Sequence, residues 1–157
     1  MNKIVVRIAD YAVVHNPAVL VTTVGSCVGI ALRDPHTKIG ALAHVLLPCI
    51  GASGSRGTPL KFADSAIEIT VNEMIKKGCS KKRIEAKIAG GARMFEFGLS
   101  SMKIGERNVE AVVGKLEEYN IPIIARDIGE NYGRTLEYHI ETGVLHIQRA
   151  LKDIKKI

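Results

Sequence analysis

The stretch Thr22-Thr23-Val24-Gly25-Ser26-Cys27-Val28-Gly29 constrains this chain more than any other. It sets a thiol directly after a Gly-Ser corner, between two runs rich in β-branched residues, 19–24 and 28–32, that read as strands. A further apolar run, 39–47, carries His44, and the segment Asp34-Pro35-His36-Thr37-Lys38 before it has the composition of a turn. The pieces predict a β-hairpin. In a hairpin the numbers of facing residues have a constant sum, so the length of the turn decides which residues meet. A four-residue loop, 34–37, pairs Arg33 with Lys38 and brings Cys27 opposite His44 on one face. A five-residue loop, 34–38, sets Val28 opposite His44 and turns the thiol and the imidazole to opposite faces. In either register the two backbones are neighbours.

A thiol and an imidazole are worth bringing together because the thiolate, not the thiol, is the nucleophile. An adjacent imidazole accepts the thiol proton, and the resulting cation is expected to hold the thiolate at a low pKa. The same imidazolium then protonates a leaving amine. Gly25 allows a sharp corner, which with Ser26 leaves backbone N–H groups, that of Cys27 among them, free to face a developing oxyanion. Thr22 and Thr23 are the nearby hydroxyls able to orient the imidazole. A hydroxyl fixes the tautomer without supplying a charge, so it is a weaker orienter than a carboxylate. The competing reading is a small buried cysteine and a satisfied core histidine, which wins for a lone residue of either type.

At 157 residues the chain is expected to form one domain, 1–157, with a basic tail at about 150–157. Cys27, Cys49 and Cys79 are odd in number and show no C-x-x-C spacing, which argues against a disulfide framework and a zinc site and fits a reducing compartment. Asp10 interrupts the start before any long apolar run, so no signal peptide is expected. The apolar run 39–50 contains His44 and Pro48 and is too short to span a bilayer. A soluble, cytoplasmic protein is the expectation. The net charge of +6 raises a nucleic-acid reading. The cations are scattered, however, and no aromatic residues alternate with them as a base-stacking platform needs.

Residues 3–8 read as a first strand, closed off by Asn16-Pro17. Residues 51–59 have the composition of a mobile loop that could close over a substrate, without a phosphate-loop pattern. Ala63, Ile67, Val71, Met74 and Ile75 recur at helical spacing, with Gly78 as a stop. A strand is expected over 84–89 and a bend at Gly90-Gly91. A second helix, built on Val109, Val112, Val113 and Leu116, is entered through residues 105–108 with Asn108 as its N-cap. Residues 121–126 read as a buried strand that starts, or lies at an edge, near Pro122. Alternation over 136–141 and the turn at Thr142-Gly143 predict a second hairpin, closed by residues 144–149. It carries His139 and His146, which read as solvent-facing rather than metal-binding. Arg134 and Asp127 are placed to pair across the loop 129–133. The whole is an α/β sandwich, with a mixed β-sheet, two main helices and two β-hairpins.

Gly25-Ser26-Cys27-Val28-Gly29, Arg33-Asp34-Pro35, Ala43-His44-Val45 and Ile88-Ala89-Gly90-Gly91-Ala92 together resemble the CheD family of chemoreceptor glutamine deamidases. Ile104-Gly105-Glu106-Arg107-Asn108, Gly133-Arg134 and Thr142-Gly143 extend the similarity from about Tyr11 to about Ile147. The resemblance implies a protein-glutamine amidohydrolase with Cys27 as nucleophile and His44 as base. A preceding threonine completes the set, Thr22 or, in its place, Thr23. It implies no metal and no organic cofactor. It also implies methyl-accepting chemoreceptors as substrate and the phosphatase CheC as a binding partner. The alternatives are a non-catalytic adaptor binding receptor or CheC, and a basic nucleic-acid-binding domain.

Overall fold

The structure, a computed structural model, describes residues 2–46, 62–93, 99–149 and 153–157. Strands β1 (Lys3–Val5), β2 (Asp10–His15) and β3 (Val19–Val24) are followed by β4 (Val28–Asp34) and β5 (Ile39–Val45), which form the expected hairpin. Helix α1 (Ala63–Lys76), β6 (Glu85–Gly90), α2 (Leu99–Glu118) and β7 (Ile123–Ile128) come next. The second expected hairpin, β8 (Arg134–His139) and β9 (Val144–Arg149), precedes β10 (Ile154–Lys156).

The described strands make two mixed sheets rather than one, each of five strands. The first runs β1-β3-β8-β9-β10 and the second β2-β5-β4-β6-β7. The sequence shows why their burial differs. Residues of β4 and β5 are almost all apolar and almost all buried, as in a sheet covered on both faces. In β8, buried residues alternate with half-buried ones, as in a sheet with one wet face. Val28, Ile30, Leu32, Ala41 and Ala43 pack against α1 and α2, whereas Ala31 and Leu42 face the first sheet with Leu20, Leu136 and Ile147. The layers are therefore sheet, sheet, helices. The second hairpin's turn is tied to the second sheet. Arg33 donates to the carbonyls of Ile140 and Glu141, both at 2.7 Å, and Lys87 to that of Gly143 at 2.7 Å.

Further expectations are corrected. The first run, 3–8, divides from a separate strand β2 at Ala9, whose φ of 59° turns the chain. The β4–β5 register follows neither predicted turn: Asp34 pairs with Ile39, and His44 faces Gly29. Asp34 is the cause. Its carboxylate accepts the N–H of His36 at 3.0 Å, its carbonyl accepts the N–H of Lys38 at 2.9 Å, and Lys38 adopts φ 54°. The side chain is also buried against Arg83 at 3.0 Å, so Asp34 ends the strand instead of opening the loop. Helix α2 begins at Leu99, well before Asn108. Gly105 lies inside it because the helix passes so close to the carbonyls of Gly91 and Ala92 that a Cβ would collide with them. Residues 154–156 of the basic tail pair with β9 as a strand. The run 121–126 is not a buried strand: Pro122 precedes the edge strand β7, the outermost of its sheet, in which Ile124 is exposed and Asp127 alone is buried.

Candidate active site

Thr22, Cys27 and His44 reach one place from three elements. Thr22 is on β3 of the first sheet, His44 on β5 of the second, and Cys27 at the bend between β3 and β4. The β4–β5 register keeps Cys27 on the intersheet face: it lies two residues before Gly29, the partner of His44, and packs in the core between the sheets. Gly29 has to be small. A Cβ there would collide with Leu136 of the first sheet, and Thr22 lies just beyond. That missing side chain lets the sheets approach until the His44 ring reaches across.

His44 Nδ1 lies 2.8 Å from Thr22 Oγ1, and the same hydroxyl donates to the Val6 carbonyl at 2.6 Å. A carbonyl oxygen only accepts, so the single hydroxyl proton goes to Val6. Thr22 must then accept from His44, which places the imidazole proton on Nδ1 and the lone pair on Nε2. Nε2 is buried and has no hydrogen-bond partner among the described residues. Thr23 points elsewhere, its hydroxyl 3.2 Å from that of Thr135 on an exposed position, so Thr22 is the hydroxyl on the imidazole.

The corner 25–27 is held from behind. The Gly25 carbonyl accepts the N–H of Ala92 at 3.0 Å, and the Cys27 carbonyl accepts that of Gly91 at 2.8 Å. The Ser26 carbonyl accepts from Asn108 Nδ2 at 2.9 Å. In a trans peptide the N–H points opposite to the preceding C=O. Fixing the Gly25 and Ser26 carbonyls towards β6 and α2 therefore turns the N–H groups of Ser26 and Cys27 the other way. Gly90, with φ 121°, permits this contact: a side chain there would run into the Cys27 carbonyl. A groove of about 630 Å³ opens over the site, lined by Val6, Arg7, Thr22, Gly25, Cys27 and His44.

Burial sets the protonation states. It pushes the Cys27 thiol up to about 11, with its own backbone N–H opposing. It pushes His44 down to about 4. Near neutral pH the resting pair is a thiol and a neutral imidazole, not the low-pKa thiolate and imidazolium expected from the sequence. The reason is that burial between the sheets penalises both charges.

Sequence reasoning missed two participants, the Val6 carbonyl and Asn108. Val6 offers no signal, because a main-chain acceptor is anonymous. Asn108 does. With Val112 and Leu116 it forms a buried row at i, i+4, i+8, and a polar residue in such a row has a partner to find. Cys49 and the glycine-containing loop 51–59 lie outside the described residues. Arg134 and Asp127 pair as expected, at 3.0 Å and buried. His139 and His146 are half-buried and do not approach the site.

Comparison with known proteins shows the family of the chain as a whole. The family model described as "CheD chemotactic sensory transduction" matches residues 46–149. The chain is 49% identical over 149 residues to the chemoreceptor glutamine deamidase CheD of Thermotoga maritima, covering 94% of this chain and 92% of that protein. It is 44% identical to a probable chemoreceptor glutamine deamidase CheD of Caldanaerobacter subterraneus subsp. tengcongensis, covering 97% and 96%. A probable chemoreceptor glutamine deamidase CheD 1 of Methanosarcina acetivorans is 43% identical, covering 98% and 96%. With such identity sustained over almost its whole length, the chain belongs to the CheD family.

Proposed function

We propose that this protein is a cysteine-dependent deamidase that converts glutamine side chains of methyl-accepting chemoreceptors to glutamate. The names of its relatives support the reaction and the substrate. The observation that carries the assignment of residues is the Val6–Thr22–His44 chain of hydrogen bonds. It leaves His44 Nε2 basic, and His44 and Cys27 line one groove.

Because the resting pair is neutral, proton transfer accompanies attack. As the Cys27 sulfur bonds to the carboxamide carbon, its proton passes to His44 Nε2. The carbonyl π electrons move to oxygen, and the N–H groups of Ser26 and Cys27 receive the oxyanion. Collapse breaks the C–N bond. His44 returns its proton to the departing nitrogen, and ammonia leaves a thioester. Water then attacks the thioester carbon and gives a proton to His44. The C–S bond breaks, the sulfur takes that proton back, and glutamate is released. Thr22 holds the ring in one tautomer throughout and gains strength as an acceptor while the ring is cationic.

Among the described residues no helix is long and apolar enough to cross a membrane. The protein acts in the cytoplasm on the receptor's cytoplasmic domain and binds the phosphatase CheC, as the sequence resemblance implies. The test is intact-mass analysis of a receptor cytoplasmic fragment incubated with the protein. The expected result is the small mass gain of NH₂ becoming OH at glutamine, absent with Cys27→Ala. Receptor binding without any mass change, equal for wild type and Cys27→Ala, would favour the adaptor instead.

A further inference from the structure

The outer face of the first sheet carries Glu137, His139 and His146, whose side-chain donor atoms all lie within 4.8 Å of one another. The strands put them there. Glu137 and His146 are directly paired across β8 and β9, and His139 follows two residues after Glu137 on the same face. The imidazole rings are 4.1 Å apart, tilted by 35°. Among the described residues His139 Nε2 has no hydrogen-bond partner; it is buried, 3.9 Å from Glu137 Oε1. That gap is too long for a hydrogen bond.

From this geometry we propose that Glu137, His139 and His146 form a binding site for one divalent transition-metal ion of the zinc class. Two zinc bonds of about 2.0–2.2 Å hold neighbouring tetrahedral donors roughly 3.5 Å apart. The His139–Glu137 separation of 3.9 Å is close to that, and the three donors, all within 4.8 Å, would be drawn in by rotation of their half-exposed side chains when the ion binds. Two imidazoles and one carboxylate select zinc, nickel or copper over calcium or magnesium, which take oxygen donors. Three protein donors leave a position for water or for a side chain of another molecule. Two cations face the cluster. Lys3 Nζ is 3.2 Å from Glu137 Oε2, and Lys156 is the strand partner of His146. Lys3 engages the carboxylate oxygen that does not face His139, so it competes with the metal for charge rather than for position.

The site is separate from the thiol chemistry. Glu137 and His146 alternate with Leu136 and Ile147, which point into the intersheet core with Cys27. A metal here fastens β8 to β9 on the wet face and leaves Cys27 untouched.

The test uses the full chain, stripped with a chelator and desalted, titrated with Co²⁺ and with Zn²⁺ at pH 7.5. The expected result is one bound Co²⁺ with ligand-field bands and no thiolate-to-cobalt charge transfer, displaced by Zn²⁺. His139→Gln and His146→Gln should each weaken Zn²⁺ binding by more than about a hundredfold, since loss of a direct ligand costs more than the 10–100-fold seen for outer-shell partners. Zn²⁺ should raise the melting temperature of wild type and leave that of the double variant unchanged. Lys3→Ala, which removes a competing cation, should tighten binding. Thiolate charge transfer, affinity indifferent to both histidine variants, or no saturable binding would each overturn the site.

Discussion

The two hairpins, β4–β5 and β8–β9, are the same local device in different surroundings. Each is antiparallel, and each carries histidine on a strand. β4–β5 is covered on both faces, and His44 is 4% exposed with one nitrogen bonded to Thr22. β8–β9 has one wet face, and the His139 side chain retains 26% of its exposure. Burial in the first makes a charge costly, so His44 is driven down to about 4 and is a neutral base at working pH. On the second, histidines keep company with Glu137, Lys3 and solvent, close enough together for the proposed ion. Strand pairing brings the groups together; the layer above them decides what they do.

The sharpest way to break this comparison is to remove histidines from each hairpin in turn. Cys27→Ala, His44→Gln and their double variant should each lose receptor deamidation by about 10³-fold or more, without additivity, because the proposed nucleophile and base would act as a unit. His139→Gln and His146→Gln should leave the rate within about twofold, since surface substitutions away from the site perturb little. Equal loss from both hairpins, by mass spectrometry of the receptor, would erase the distinction.

Acid stability comes next. The folded pKa of His44 lies below the unfolded value, so the unfolded chain binds the proton first as pH falls. Its contribution is intact above about 6.5 and declines down to about 4, by up to about 3 kcal/mol. Denaturant unfolding between pH 7 and 4 should show this decline in wild type and a shallower one in His44→Gln. Parallel profiles would mean that His44 is not desolvated.

Thr22→Val keeps the shape but strips the Val6 carbonyl of its donor and His44 Nδ1 of its acceptor. At about 1 kcal/mol for each bond, the loss is roughly 2 kcal/mol, or about thirtyfold in rate. Thr23→Val should be near neutral. Asn108→Ala frees only the Ser26 carbonyl and should cost about tenfold in kcat with KM held, as expected of a positioning residue. An Asn108→Ala protein with full kcat would show that the backbone clamp from Gly91 and Ala92 suffices.

The smallest effect is on intrinsic thiol reactivity. With its pKa near 11, Cys27 should react with iodoacetamide at a rate that rises steadily from pH 7 to 10. His44→Gln should change that profile little. A plateau at neutral pH, abolished by His44→Gln, would show that the ion pair forms before substrate arrives.

Much of this was legible in the residues. β-Branched runs around a Gly-Ser corner, a Pro-containing turn and a returning histidine place the Cys27 and His44 backbones side by side, because period-two alternation and turn chemistry are local. Helix α1 and the second hairpin follow from periodicity in the same way, and the Arg134–Asp127 pair from charges flanking a short loop. What only the tertiary structure decided is everything that depends on a second layer. The register rests on Asp34 being buried against Arg83, a residue far along the chain. The choice of Thr22 over Thr23 depends on which face of β3 meets the second sheet. The tautomer of His44 depends on the Val6 carbonyl, and the start of α2 on how closely Gly105 approaches β6. The protonation of the pair was misread for the same reason. Adjacency is written in local sequence, whereas desolvation is set by how completely distant segments cover the pair, and here that cover outweighs the attraction expected between thiolate and imidazolium.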